Sequence, residues 1–158
     1  MSNSQPYSFD KLTAEARRLA ADYRRATGKT LPLSGEIAVN DATRLLGLES
    51  PIEPVAGCDA MRLISGGPIG VQIKGRVVFN EAKDRSRIGQ LKLDQHWREL
   101  VLVLMDENYE PLEIYCANRS AVEAALEHKS QNKRGAMTVA EFKIIAELVW
   151  TPESNDER

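Results

Sequence analysis

The sequence predicts an α/β domain, a mixed β-sheet with helices packed against it. Helical periodicity opens and closes the chain, a run of strand-like segments lies between, and one of those segments is aliphatic almost throughout, as in a strand covered on both faces. A chain of 158 residues fits one domain and buries a sizeable core without disulfides or a structural metal. The domain is expected over residues 1–150, with 151–158 a flexible tail that has almost nothing to bury.

Leu12, Ala16, Leu19, Ala20, Tyr23 and Ala26 recur at helical spacing, with Ser8 or Asp10 as N-cap and Gly28 as the C-terminal glycine. The other face carries Arg17, Arg18, Arg24 and Arg25 and is expected in solvent. A second helix is expected from Gly35 to Leu46, capped by Ser34 and stopped at Gly47, with Glu36 in its first turn. Cys58–Ile64 and Ile69–Val78 read as strands around the turn Ser65-Gly66-Gly67-Pro68. Phe79–Ser86 reads as a loop and Arg87–Leu93 as a strand, with Trp97 in a short connection. Glu99–Met105 is the aliphatic strand, and Asp106–Tyr109 turns it into a hairpin with Pro111–Cys116. Two helices are expected to finish the domain, Ser120–His128 and one opened by the capping box Thr138-Val139-Ala140-Glu141, with a mobile loop over Lys129–Gly135.

The net charge of −2 gives no global sign of nucleic-acid binding, but Lys74, Arg76, Lys83, Arg85, Arg87 and Lys92 cluster against only Glu81 and Asp84. Such a surface suits a phosphate backbone; its plainer reading is a solvated face. Cys58 and Cys116 are the only cysteines and form no CxxC pair, so they read as buried thiols. His96 and His128 belong to no metal-ligand pattern. Ser34, Ser65 and Ser120 have no triad context, and Gly66-Gly67 is too short for a phosphate-binding loop. The start Met1–Pro6 lacks the pattern of a secretory signal, and Leu100–Met105 is far too short to span a bilayer, so a cytoplasmic protein without membrane association is expected.

Asp59 at the head of one strand and Gln72-Ile73-Lys74 on the next place an acid, an amide and an amine where two strands converge. Gln72 and Lys74 share one face of their strand, Val71 and Ile73 the other. With Glu36 upstream, these residues resemble the PD-(D/E)xK superfamily of restriction endonucleases and Holliday-junction resolvases, and the segment Gln72–Arg76 resembles an uncharacterised bacterial domain family that carries QIKGR. Gln72 stands where the superfamily usually has a second carboxylate, and no proline precedes Asp59. The resemblance implies a restriction-endonuclease-like sheet and Mg²⁺- or Mn²⁺-dependent hydrolysis of DNA. Asp59, Glu36 and Gln72 would be the metal ligands and Lys74 would act on water and phosphate, with weak cation binding because one formal charge is missing. Arg76, Lys83, Arg85, Arg87 and Lys92 would then hold the nucleic-acid backbone. Taken one at a time, each site residue also has a plain structural role: Asp59 as a turn cap or a partner of Arg62 or Arg76, Glu36 at a helix terminus, Gln72 and Lys74 on an exposed strand face. A non-catalytic nucleic-acid-binding module and a homodimeric interaction domain are the competing readings.

Overall fold

The computed structural model describes residues 8–31, 33–79, 86–127 and 137–155. Helices α1 (Phe9–Thr27) and α2 (Ser34–Leu45) precede strands β1 (Ala60–Ile64), β2 (Gly67–Val77), β3 (Glu99–Met105) and β4 (Pro111–Asn118). Helices α3 (Arg119–Glu127) and α4 (Val139–Ile145), strand β5 (Glu147–Trp150) and a 3-10 turn at Pro152–Asn155 follow. The five strands lie side by side in chain order; β2 and β3 are parallel and every other neighbouring pair is antiparallel. A parallel pair needs a crossover, and the chain between Val77 and Glu99 supplies it on one face of the sheet.

The expected α/β class with a mixed sheet is present, and β3 is what its composition predicts: Leu100 through Met105 are all buried. Val101, Val103 and Met105 face a core completed by Ala38 and Ala42 of α2, while Leu100, Leu102 and Leu104 face a second core with Trp97, Val122 and Phe142. Among the described residues, no helix is long and apolar enough to cross a membrane.

Several local expectations need correction. In α1, Ser8 caps the first turn by accepting from the Lys11 amide at 3.2 Å and Gly28 closes the helix with φ +72°. Only Ala20 and Ala21 of α1 are buried, however, and Leu12, Leu19 and Tyr23 are exposed. Arg17 turns inward instead of into solvent. Its Nη2 donates to both carboxylate oxygens of Asp41 at 2.8 and 2.6 Å, and its Nε donates to the Tyr109 carbonyl at 2.6 Å. Small residues and one guanidinium thus form the inner stripe, because α1 meets α2 across a buried acid. Ser34 is the first residue of α2 and not its cap, a position taken by Leu33 without a side-chain bond.

β1 starts at Ala60, and the turn shrinks to Ser65-Gly66 because Gly67, at φ +110°, and Pro68 already belong to β2. Arg87–Leu93 is not a strand. It makes a single bridge, Arg87 to Thr138, and buries Ile88 over the sheet face, since the place beside β2 is filled by β3. Thr138 does cap α4, accepting from the Glu141 amide at 3.2 Å, but that helix ends at Ile145. Glu147–Trp150 then becomes β5, where branched and aromatic residues complete the free edge of β4. Lys129–Gly135 and His128 lie outside the described residues.

Arg17 is the main partner of a carboxylate that is 1% exposed, with Arg44 at a longer 3.5 Å. Removing one member of a buried pair strands the other charge. Arg17→Met is expected to destabilise the fold by about 3 kcal/mol in urea unfolding, and Arg17→Met/Asp41→Leu by much less. A single-variant loss below about 1 kcal/mol would show that solvent or Arg44 already compensates Asp41.

Candidate phosphate site at the open edge of the sheet

β1 covers only the first part of β2, from Gly67 to Val71. Where that cover ends, Asp59 takes over. Its amide donates to the Val71 carbonyl at 2.8 Å and its Oδ2 accepts from the Ile73 amide at 2.8 Å, so one aspartate grips the residue on either side of Gln72. One step further, Arg76 Nη1 donates to the Gly75 carbonyl at 2.6 Å and its Nε to the Arg87 carbonyl at 2.7 Å. Backbone groups that an absent strand would have bonded are therefore met by a carboxylate and a guanidinium, which blunts the edge against pairing with other chains.

Gln72, Lys74 and Arg76 lie in register with Leu100, Leu102 and Leu104 and share their face of the sheet. Gln72 is buried and its Oε1 has no hydrogen-bond partner among the described residues. Lys74 is half-buried; loss of solvent pushes its ammonium below the usual lysine range, and Arg76 and Lys92 push the same way against the opposing pull of Asp59. Asp59, Arg76 and Lys92 lie in electrostatic reach of Lys74, and Gln72 shares the Lys74 face of β2.

Glu36 is placed elsewhere. Gly75 lets α2 approach the opposite face of β2 so closely that a Cβ there would stand 2.5 Å from Ala38 Cβ and 2.7 Å from the Ser34 carbonyl. Glu36 is exposed on that helix and lines a cleft of about 410 Å³ with Phe9, Leu12 and Thr43, so the sheet separates it from Gln72 and Lys74. Among the described residues, no three His, Cys, Asp or Glu side chains gather. Arg87 and Lys92 are exposed; Lys83 and Arg85 lie outside the described residues.

By donor type alone, Asp59 offers one charged group and Gln72 a buried carbonyl oxygen without a partner among the described residues, and Mg²⁺ accepts one or two protein oxygens when waters and phosphates complete its shell. The balance of charge around Lys74 is positive, since Arg76 and Lys92 act on it against the single carboxylate of Asp59. Elsewhere, Arg62 binds Glu99 with Nε 3.0 Å from both oxygens, and Glu99 accepts from Cys116 Sγ at 3.1 Å. Burial and that acid push the Cys116 thiol up to about 12, which makes it inert as a nucleophile. Burial and Asp59 likewise push the Cys58 thiol up.

Sequence reasoning missed Arg119 and Gln95, which brace the loop beside Asp59. One signal was available: an arginine opening a helix works against the helix dipole and implies another task. The sequence was compared with protein-family models and with curated proteins, and none matches it.

The pH dependence of Lys74 has a definite sign. Its folded value lies below its unfolded value near 10.5, so between the two the unfolded chain binds more protons and stability rises with pH. In Lys74→Met that gain is expected to disappear, so the stability difference between variant and wild type should shrink as pH climbs toward 10.5. Parallel curves from denaturant melts across this alkaline window would show Lys74 to be fully hydrated.

Proposed function

We propose that the chain is a nuclease-like domain of the PD-(D/E)xK plan that hydrolyses DNA phosphodiester bonds with a one-carboxylate site. The observation that carries this reading is Asp59 gripping both neighbours of Gln72, whose carbonyl oxygen is buried without a partner beside half-buried Lys74. The element order supports it: a helix bearing an acid, an aspartate immediately before one strand, a lysine on the next. Asp59 and Gln72 would hold the divalent cation, which supplies charge neutralisation and an activated water when bound. Lys74 Nζ would donate to a phosphate oxygen as negative charge develops, in a partly desolvated position where such a bond is stronger than in water. Arg76 and Lys92 would hold neighbouring phosphates. A cytoplasmic location belongs to the same proposal.

The position of Glu36 favours a second reading, in which the domain binds DNA without cutting it, because the site is left with a single carboxylate. Substitutions separate the two. Wild type should give a Mn²⁺ binding heat in titration calorimetry; Asp59→Asn keeps an oxygen for the Ile73 amide while removing the charge, so it should fold normally, lose that heat and lose cleavage. Lys74→Ala should cut turnover by about 10²- to 10³-fold, and Glu36→Gln should leave it unchanged. Gln72→Glu should tighten the cation and preserve or raise turnover. Metal-dependent cleavage on linear, nicked and branched DNA reads these out. If wild type and Gln72→Glu cut nothing while wild type binds DNA with a clear salt dependence, the binding reading replaces the enzyme; loss of cleavage in Glu36→Gln would contradict the placement of that acid.

A further inference from the structure

The crossover from β2 to β3 ends in a loop, Lys92–Trp97, held by the side chain of Arg119, the first residue of α3. The guanidinium of Arg119 donates to the carbonyl oxygens of Leu93, Gln95 and Trp97, the last at 3.0 Å, and its Cζ stands 4.9 Å from the centre of the Trp97 ring. Trp97 is fully buried and returns its Nε1 to the Lys92 carbonyl at 3.0 Å. The main chain closes the arrangement: the Arg119 amide donates to the Arg98 carbonyl and the Arg98 amide to the Gly70 carbonyl, each at 2.8 Å.

This loop presses on the residues that lead into Asp59. At Gly57, where φ is +81°, a Cβ would stand 2.5 Å from Gln95 Oε1 and 2.6 Å from Gln95 Cβ. At Gly70 the space of a Cβ is taken by Cys58 Sγ, with the His96 carbonyl 3.4 Å away. Gln95 therefore backs the turn immediately before Asp59, while Lys92, at the other end of the loop, is within electrostatic reach of Lys74. Holding three carbonyls in one orientation needs several donors in a rigid fork, which arginine has and lysine lacks.

We infer that Arg119 is a positioning residue for the candidate site: by fixing the Lys92–Trp97 loop, it sets Asp59 through the Gln95–Gly57 contact and places Lys92 beside Lys74 on the phosphate side. The inference rests on the reading of that face as a phosphate site, yet two of its consequences are visible without DNA. In Arg119→Lys the Ile73 amide should exchange with solvent at least several-fold faster as Asp59 loosens, and the Lys74 titration, followed by NMR of labelled lysine, should move up as Lys92 drifts away. Gln95→Ala, which leaves Arg119 untouched, should reproduce the faster Ile73 exchange, and Lys92→Ala the Lys74 shift. Glu123→Gln removes only the 2.8 Å ion pair of Arg119 within its own helix and should change neither.

With a duplex DNA probe, Arg119→Lys and Lys92→Ala should each lower the slope of log affinity against log salt by about 0.9, the loss of one phosphate contact, and the double variant by no more than either. Arg119 is only structural if Arg119→Lys lowers the melting temperature but leaves Ile73 exchange, Lys74 titration and salt slope at wild-type values, or if Glu123→Gln matches it. Wild-type protein that shows no salt-dependent DNA binding would overturn the phosphate reading, while the two NMR measurements would still decide whether Arg119 positions Asp59 and Lys92.

Discussion

The constraint on which everything else depends is that β3 must hide both of its faces. Its six residues from Leu100 to Met105 are buried, and full burial of an aliphatic side chain contributes roughly 1.5–3 kcal/mol as an upper bound. No single layer of helices can cover them, so the fold needs α2 on one side and the crossover with α3 and α4 on the other. The parallel β2–β3 pairing follows from the same need, because a crossover must pass over one face to return the chain in the same direction.

That arrangement decides what β2 can carry. Its alternate residues Val71, Ile73 and Gly75 face α2, and Gly75 admits the helix closely enough that even a methyl group would collide with it. The intervening residues Gln72, Lys74 and Arg76 face the second layer, where an apolar series would have packed at lower cost. Three polar side chains half under cover are expensive in stability, and a buried amide oxygen without a partner costs about 1–3 kcal/mol. Departures of this kind from the packing that a fold prefers concentrate at functional sites. Asp59 and Arg76 also meet the free backbone groups of the β2 edge, so structural and chemical roles fall on the same side chains. For Asp59 the two are separable: one oxygen serves the Ile73 amide, and the charge is what a cation would use.

The sequence made the strands and their faces legible where composition left one solution. The aliphatic run Leu100–Met105, the hairpin at Asp106–Tyr109 and the alternation through Gln72 and Lys74 all follow from local rules. Failures came where a tertiary partner overrode the local pattern. Arg17 looked solvent-facing because its partner Asp41 lies in another helix, and no strand was expected after the last helix because the free edge of β4 is invisible from Glu147–Trp150 alone. Glu36 was expected to join the site on chain order, which ranks residues along the chain but does not say on which face of the sheet a helix docks. The close fit of Gly75 against Ala38 and Ser34 settles that face, and no periodicity in the sequence announces it.

The amide at position 72 is consistent with this geometry. A carboxylate there would be buried with no hydrogen-bond partner among the described residues, and burial opposes its charged form until a cation or a proton intervenes. Such a site would fold at a penalty whenever the cation was absent. A neutral amide removes that penalty and keeps an oxygen of the right hardness pointing inward, at the cost of affinity for the cation. On the proposed reading, the positive surroundings of Lys74 would favour an anion over a cation, because Lys74, Arg76 and Lys92 outnumber Asp59. A site built this way holds a cation best when a phosphate is already present to share it. Recognition of the nucleic-acid backbone would therefore come first, and cation binding would follow from it.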